Sequence, residues 1–215
     1  MPVLLVVSRK GGVGKTTTCV HLAEAWAADR EVVLIDADGQ QQSAQWLSNW
    51  AAIHQVSPGT RRLPSSLSIV GIPDGRTANI RKVISGGGLV IIDSPGGASV
   101  EMVRRRGGLY ELADAVLIPS AASIADAAEV VPTAREVAAL APHLPAAVAL
   151  VGVRARAEAT VSEIREALER KSLVVLASQV RDSAQIERSF GRPTSLVGRE
   201  QYAPLAAELL GSLGW

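Results

Sequence analysis

A glycine-rich loop near the start of the chain constrains the fold more than any other stretch. It reads R-K-G-G-V-G-K-T-T-T over residues 9–18, between an apolar run at 3–7 and a helical pattern at 19–28. A strand, a glycine loop and a helix in this order bind phosphate groups, because glycines let successive backbone N–H groups point inward and the helix start is electropositive. The stretch therefore predicts a nucleotide-binding loop in an α/β fold.

The residue types in this loop assign roles to individual side chains. Lys15 is expected to reach the terminal phosphates, and the hydroxyl of Thr16 is expected to ligate Mg²⁺. The residues predicted to bind the nucleotide are Lys10, Gly11, Gly12, Val13, Gly14, Lys15, Thr16 and Thr17. A structural glycine turn that binds no nucleotide is the alternative.

The loop departs from the general motif G-x-x-x-x-G-K-[ST], because Arg9 stands where that motif has its first glycine and a second lysine, Lys10, follows. The form K-G-G-V-G-K-T-T is the deviant Walker A sequence of the ParA/MinD family, and the chain resembles that family from Val3 to about Leu210. Little chain precedes the loop, so the resemblance is to short plasmid-type ParA proteins, without the N-terminal helix-turn-helix domain of longer ones. It implies ATP or ADP as ligand, together with Mg²⁺.

The second lysine, Lys10, separates this family from other P-loop proteins. Lys15 already occupies the phosphate side of its own loop. The resemblance implies that Lys10 reaches across an ATP-dependent homodimer to the partner's nucleotide, where it would neutralise charge that develops during phosphoryl transfer. A solvated loop lysine is the alternative.

Short apolar runs alternate with helical stretches along the whole chain, which predicts a mostly parallel sheet with helices on both faces. With the phosphate loop, this pattern predicts an α/β fold of the P-loop NTPase class, and residues 1–215 are expected to form a single domain. The resemblance implies the SIMIBI type, with a deviant Walker A sequence. Strands are predicted at 3–7, 31–36, 67–71, 89–93, 115–119, 147–153 and 173–180. Helices are predicted at 19–28, 41–53, 77–84, 124–140 with a kink or a break at Pro132, 161–170, 183–190 and 201–213, and one more ends at 112. Turns are predicted at 57–59 and 86–88.

Carboxylates follow two of the predicted strands, where ligands bind in open α/β sheets. Asp36 and Asp38 end the second strand, where the ParA-like family reads D-x-D-P-Q; here Gly39 replaces the proline. The resemblance assigns Asp36 to the outer shell of Mg²⁺ and Asp38 to positioning the attacking water. A pair of loop-capping aspartates is the alternative.

The fourth predicted strand ends in Asp93 and looks like a Walker B segment, whose carboxylate would hold Mg²⁺ through water. The following Ser94-Pro95-Gly96 departs from the family's D-T/S-P-P, and this loop is expected to respond to the γ-phosphate as a switch. A solvated aspartate at a strand end is the alternative. The predicted metal residues are Thr16, Asp36 and Asp93. The predicted catalytic residues are Lys10, Lys15 and Asp38.

The net charge of +1 gives no strong pull toward nucleic acid, and aromatic residues are too scarce for a base-stacking platform. Late arginines fall where ParA-type ATPases carry residues for non-specific DNA binding, which needs only exposed positive charge. These candidate DNA-binding residues are Arg181, Arg188, Arg192 and Arg199. A solvated basic surface is the alternative. Residues 104–106, all arginine, are expected on a partner or dimer surface.

Several other features exclude classes of site. The single Cys19 excludes an internal disulfide and cannot ligate an iron–sulfur cluster. The three histidines have no metal-ligand spacing. The family's adenine-contacting stretch corresponds to residues 154–156, which assign no base contact. No apolar run has the length of a membrane span, and the C-terminal segment 203–215 lacks the basic residues of the MinD membrane anchor.

The resemblance implies a ParA-type partition ATPase, in which an ATP-bound homodimer binds nucleoid DNA without sequence preference. A ParB-like or ribbon-helix-helix partner would stimulate hydrolysis, and the cycle would segregate a plasmid or chromosome. Because the first strand follows Met1 almost at once, no signal peptide is expected and the protein is expected in the cytoplasm. The alternatives are a ParA-like ATPase that positions a cargo other than DNA, and a nucleotide-dependent scaffold or regulator that does not turn over ATP.

Overall fold

The computed structural model describes residues 2–56, 61–86 and 88–215. The strands are β1 Val3–Val6, β2 Val32–Asp36, β3 Leu67–Gly71, β4 Leu89–Asp93, β5 Ala115–Ala121, β6 Ala146–Val153 and β7 Val174–Arg181. The helices are α1 Lys15–Trp26, α2 Gln42–Val56, α3 Thr77–Ile84, α4 Val100–Tyr110, α5 Ile124–Leu140, α6 Glu158–Glu169, α7 Ala184–Glu187 and α8 Leu196–Leu213. The predicted turn at 57–59 and the middle glycine of the turn at 86–88 lie outside the described residues.

The described strands form one sheet in the order β3-β2-β4-β1-β5-β6-β7, and every neighbouring pair is parallel. The predicted fold class is therefore confirmed. The strand that carries the phosphate loop, β1, lies between β4 and β5. The carboxyl ends of all these strands meet at one edge of the sheet, so that the loops after β1, β2 and β4 are neighbours.

The central strands β1 and β4 are buried along their whole length because both faces of the sheet are covered by helices. Along β1, Leu4 and Val6 point into a core that includes residues of α1, α2 and α8, whereas Val3 and Leu5 point into a second core with α3, α4, α5 and α6. This alternation follows from the two-residue period of a strand. The continuous apolar runs seen in the sequence thus result from a three-layer architecture.

Helix boundaries account for the main differences from the sequence predictions. The helix α1 begins at Lys15, four residues before the predicted start, because Gly14 caps it. The helix α5 continues through Pro132, so the predicted break is wrong. Val130 and Val137 flank the proline and are buried, and this burial outweighs the roughly 3 kcal/mol cost of proline inside a helix.

The last helix, α8, begins at Leu196 rather than at residue 201, and Ser195 caps it by accepting a hydrogen bond from Gly198 N. The predicted helix at 183–190 is reduced to the short α7. No helix in the described ranges combines the length and the apolar character that crossing a membrane requires.

Candidate functional site

The phosphate loop joins the carboxyl end of β1 to the first turn of α1. Gly12 and Gly14 have φ values of 76° and 87°, in the left-handed region that favours glycine. Gly14 is the N-cap of α1, offers no side-chain cap and is followed by a first turn without acidic residues. The first N–H groups of α1 therefore point toward the loop without a protein anion to satisfy them, which is the arrangement of a phosphate site.

A hydroxyl and a buried carboxylate meet beside this loop. Thr16 Oγ1 in α1 donates a hydrogen bond of 2.9 Å to Asp93 Oδ2 at the end of β4. Asp93 is buried, and within the described residues its other oxygen, Oδ1, accepts no hydrogen bond. Carboxylate and hydroxyl oxygens are the ligands that Mg²⁺ prefers, and an unsatisfied buried carboxylate oxygen is costly without a cation. The residues present therefore fit a magnesium ion.

The charge balance around Asp93 agrees with a cation site. Burial raises the pKa of Asp93 from 3.8 to about 6, while Lys15 lowers it and Asp36 raises it again. Asp36 and Asp93 are register partners at the ends of the adjacent strands β2 and β4. A divalent cation between such carboxylates favours their ionised forms. The predicted metal residues thus lie close together, with Asp36 and Asp93 at the carboxyl ends of β2 and β4 and Thr16 in the first turn of α1.

The loop after β2 is organised by its own carboxylates. Asp36 Oδ1 accepts a hydrogen bond of 3.1 Å from Asp38 N, and Asp36 Oδ2 accepts one of 2.9 Å from Ala44 N in α2. Asp38 Oδ1 accepts one of 3.0 Å from Gln40 N. Both aspartates therefore have the loop-capping geometry of the alternative interpretation. Asp38 is half-buried, and capping by one of its oxygens is compatible with a catalytic role for the other.

Gln41 holds the same loop and was missed from the sequence. Its Nε2 donates to the carbonyl oxygens of Asp36 and Asp38, both at 2.8 Å, and its φ is 52°, an uncommon value outside glycine. A Cβ atom on Gly71, at the end of β3, would lie 2.0 Å from Gln41 Oε1. Gly71 therefore makes room for Gln41 to bridge the two carbonyl groups. A glycine at the end of β3 is the sequence signal that could have indicated this bridge.

The loop after β4 approaches the phosphate-loop lysine. A Cβ atom on Gly96 would lie 3.3 Å from Lys15 Nζ, so the backbone passes directly beside that ammonium group. Ser94 N donates to Val6 O at 3.3 Å, which ties the start of the loop to β1. The predicted switch segment thus lies where a phosphate group bound to Lys15 would meet it.

A cavity of about 220 Å³ opens from the phosphate loop toward β6 and β7. Its wall includes Gly12 and Thr17 on one side and Gly152 of β6 on the other, with the segment 181–183 after β7. Tyr202 of α8 also lines it. The predicted base-side stretch 154–156 does not line it, whereas residues 181–183 do. This cavity has room for the base end of a nucleotide.

Comparison with known proteins decides the family. A model described as the CobQ/CobB/MinD/ParA nucleotide binding domain matches residues 4–195. The chain belongs to this family. The ParA and MinD proteins named in that description are those that the phosphate loop resembles, so the family predicted from residues 9–18 is confirmed.

Individual relatives of this family are similar over different spans. Maintenance of carboxysome distribution protein A from Gloeobacter kilaueensis is 42% identical over 93 residues, which are 43% of this chain and 38% of that protein. MinD from Pyrococcus horikoshii with Mg-ADP superimposes with a TM-score of 0.73 at 19% identity, covering 97% of this chain and 95% of that one. A plasmid partition protein from Borrelia burgdorferi gives 0.65 at 16% identity, covering 88% and 95%. These two structures show a shared fold.

The lysine that marks the ParA/MinD signature, Lys10, is ion-paired with α5. Its Nζ lies 2.5 Å from Asp126 Oδ1 in the first turn of α5, and its side chain is 40% exposed. Hydrogen bonding to Lys10 lowers the pKa of Asp126. Lys10 is thus held by a second element of the same chain, α5.

The four candidate DNA-binding arginines do not form one group. Arg181 lines the nucleotide cavity, at the end of β7. Arg188 and Arg192 are exposed, and the main chain at Arg192 is fixed by Trp46, whose Nε1 donates to its carbonyl at 2.9 Å. Arg199 lines a separate cavity of about 560 Å³.

Arg61, which was not among the DNA-binding candidates, lies beside Arg199. It lines the same cavity as Arg199 and is ion-paired with the buried Glu24 of α1. The guanidinium of Arg61 lies 4.7 Å from the ring centroid of Trp50, a cation–π distance. The structure thus brings Arg61 and Arg199 together and leaves Arg181 on the nucleotide side.

The arginine run at 104–106 is divided by the packing of α4. Arg104 is exposed, and Arg105 is half-buried with its Nη2 bonded to Pro73 O at 2.5 Å. Arg106 is fully buried. The prediction of a partner or dimer surface is therefore wrong for Arg106, since a helix presents consecutive residues to different sides.

Proposed function

We propose that this chain is a ParA-type ATPase whose ATP-bound dimer binds DNA without sequence preference and drives DNA segregation. The observation that carries the proposal is the second lysine. Lys10 belongs to the phosphate loop, and its side chain, which is 40% exposed, is ion-paired with Asp126 of α5. A lysine in this place is suited to a nucleotide held by another copy of the chain.

The chemistry of one protomer follows from the positions of its own side chains. The amide groups of residues 11–15 would bind the phosphates, and Lys15 would neutralise the terminal charge. Thr16 and Asp93 would hold Mg²⁺, with Asp36 behind them. Mg²⁺ supplies charge stabilisation at the phosphate oxygens. The carboxylate of Asp38 would orient the attacking water, and hydrolysis breaks the bond between the β–γ bridging oxygen and the γ-phosphorus.

Dimerisation would complete the site and couple it to DNA. With Lys10 of each protomer at the other's γ-phosphate, ATP would stabilise the dimer and ADP would not, because the differential contact is with the γ-phosphate. The exposed arginines Arg188 and Arg192, together with the half-buried Arg199, would then be presented twice, which increases the number of phosphate contacts with a duplex. A ParB-like or ribbon-helix-helix protein on the segregated DNA would stimulate hydrolysis and release the dimer.

A second candidate function is the positioning of a protein cargo. It is favoured by the 42% identity to a protein named for the maintenance of carboxysome distribution. The same phosphate site and the same dimer would serve it, and the partner would be an adaptor of that cargo. A third candidate, a nucleotide-dependent scaffold, differs in that Asp38 would not support turnover.

The test is binding to non-specific duplex DNA with ATP, with ADP and without nucleotide, at two salt concentrations. Wild type, Lys10→Ala and the control Lys171→Ala are compared, since Lys171 follows α6 at the opposite edge of the sheet. We expect salt-sensitive binding with ATP alone, lost in Lys10→Ala and kept in Lys171→Ala.

Each rival predicts a different result in this experiment. An ATP-dependent dimer without DNA binding would favour the protein-cargo function. A dimer that binds DNA but releases no phosphate in a single-turnover assay would favour the scaffold. Full DNA binding by Lys10→Ala would remove the assigned role of Lys10 in trans.

A further inference from the structure

The charged side chain of Arg106 is buried without access to solvent. Its exposed fraction is 0%, and it belongs to α4, behind the loop that follows β4. Burying a guanidinium costs several kcal/mol unless its donors are paired. The groups that pair with its donors therefore indicate which parts of the structure Arg106 connects.

One side of the guanidinium is neutralised by α5. Arg106 Nε donates to Glu136 Oε1 at 2.7 Å, and Nη2 donates to Oε2 at 2.8 Å, which is a bidentate pair. Tyr110 donates its hydroxyl proton to Glu136 Oε1 at 3.1 Å. Burial alone would lower the pKa of Arg106, but the hydrogen bonds and charge of Glu136 raise it above its usual value. Arg106 therefore stays ionised, and its guanidinium is rigidly oriented.

The other side of the guanidinium binds the loop after Asp93. Arg106 Nη1 donates to the carbonyl oxygens of Pro95 at 3.0 Å and Gly97 at 2.9 Å. The residue between them, Gly96, is the one whose Cβ position lies 3.3 Å from Lys15 Nζ. Arg106 thus holds the carbonyl groups on both sides of the backbone point that approaches the phosphate-loop lysine.

The element behind this contact, α5, also touches the phosphate loop itself. Thr133 Oγ1 accepts a hydrogen bond of 3.4 Å from Arg9 N, and Asp126 is ion-paired with Lys10. Along α5, Asp126, Thr133 and Glu136 follow one another at spacings of seven and three residues, which places them on one face of the helix. One face of α5 therefore fixes the start of the phosphate loop directly and the loop after Asp93 through Arg106.

We propose that Arg106 is a positioning residue for ATP hydrolysis, which holds residues 95–97 at the distance from Lys15 that a bound γ-phosphate requires. This inference rests on the ATPase activity proposed above. A pair that served stability alone would be replaceable by apolar residues, often with a gain in stability. The planar fork of arginine is needed here because it bonds a carboxylate and two carbonyl groups in fixed directions.

The first test is Arg106→Lys with Arg165→Lys as its matched control. Arg165 of α6 also donates to backbone carbonyls, of Val175 at 3.1 Å and Leu176 at 2.8 Å, but far from the phosphate loop. In Arg106→Lys we expect ADP affinity within about threefold of wild type and a loss of ATP turnover of about tenfold or more. In Arg165→Lys we expect turnover within about twofold of wild type.

A second variant keeps the test decisive where the lysine substitution impairs folding. Arg106→Met with Glu136→Leu removes both charges and the loop contact, and apolar replacements of this kind preserve folding. We expect a melting temperature close to that of wild type and the same loss of turnover. A folded variant of either type that turns over ATP within about twofold of wild type would overturn the proposal.

Hydrogen exchange separates this proposal from the ATPase proposal on which it rests. The amides of residues 94 and 96–98 should exchange faster in Arg106→Lys than in wild type with the same nucleotide, and at the wild-type rate in Arg165→Lys. If wild type bound ATP without hydrolysing it, the ATPase proposal would fail, and this comparison would still decide whether Arg106 positions the loop. Unchanged exchange at these amides would overturn the positioning role.

Discussion

Lys10 of the phosphate loop is ion-paired with Asp126 of α5, with 2.5 Å between Nζ and Oδ1. Ser123, the N-cap of α5, accepts a hydrogen bond from Asp126 N and donates its hydroxyl proton to the carboxylate of Asp126. A lysine that acts on a partner's nucleotide has to leave this contact first. In the proposed dimer this ion pair would therefore compete with the contact across the interface.

Replacing Asp126 by asparagine is expected to favour the dimer. Asparagine keeps the shape and an acceptor for the helix cap but removes the charge that holds Lys10. Because the pair is partly exposed, we expect the ATP-dependent dimer affinity to rise by about two- to fivefold, measured by analytical ultracentrifugation with a slowly hydrolysed ATP analogue. Asp29→Asn, which breaks the exposed pair with Arg30, is the control and should leave the affinity unchanged. A lower affinity in Asp126→Asn would show that this contact does not oppose dimerisation.

Asp38 has a matched counterpart that separates catalysis from loop capping. Asp38 Oδ1 accepts a hydrogen bond of 3.0 Å from Gln40 N, and Asp74 Oδ1 accepts one of 3.1 Å from Arg76 N, so that both cap a backbone amide two residues on. We expect Asp38→Asn to reduce phosphate release by about 100-fold with nucleotide affinity nearly unchanged. Asp74→Asn should release phosphate at the wild-type rate. Equal, small effects in both variants would leave Asp38 as a loop cap.

Two glycines of α8 should respond in opposite ways to alanine. A Cβ atom on Gly198 would lie 2.6 Å from His21 Nε2, whereas nothing lies within 4 Å of one on Gly211. We expect Gly198→Ala to lower the free energy of unfolding by about 1–3 kcal/mol through overpacking. Gly211→Ala should raise it by about 0.5–1 kcal/mol. Urea denaturation of both variants checks this, and in a His21→Ala background the penalty at Gly198 should disappear.

Acid should destabilise the protein through His21. Burial lowers the pKa of His21 from 6.5 to about 4, against the hydrogen bond with Thr17 O, which raises it. The folded state binds the proton of His21 less tightly than the unfolded state does. The stability that the neutral imidazole contributes is therefore present above pH 6.5 and is lost as the pH falls toward 4. Between these limits the free energy of unfolding should fall by up to about 3 kcal/mol more in wild type than in His21→Phe. The exposed His143 provides the control variant, His143→Phe, which should behave as wild type.

The separation of the arginines predicts two kinds of defect. Arg192→Gln is expected to weaken DNA binding for all sequences and to reduce the slope of log affinity against log salt by about one. Arg181→Gln is expected to change nucleotide affinity instead, because Arg181 lines the nucleotide cavity. Fluorescence anisotropy with labelled DNA and calorimetry with ADP distinguish these effects. Identical DNA defects in both variants would contradict this division.

The phosphate site could be predicted from sequence because its information is local. Residues 9–18 carry the motif, and the strand and helix that flank it are adjacent in the chain. Asp36 and Asp93 were also within reach, because each ends an apolar strand and the carboxyl ends of parallel strands meet at one edge. The order of the strands and the register of Asp36 with Asp93 needed the structure.

The contacts of α5 could not be predicted from sequence for a physical reason. In a run of three arginines nothing local marks Arg106 as the buried one, and its partner Glu136 lies 30 residues further along the chain. Asp126 and Thr133 look like ordinary polar positions of an alanine-rich helix. Their meaning depends on which face of α5 meets the phosphate loop, which only tertiary packing decides.

The central position of β1 has a consequence for biosynthesis. Its Val3 pairs with Val90 of β4, and its Leu4 pairs with Ala115 of β5. Because both of its neighbours lie far along the chain, β1 remains an unpaired apolar run until β4 and then β5 have been synthesised. We expect the nascent chain to depend on chaperones until β5 has emerged.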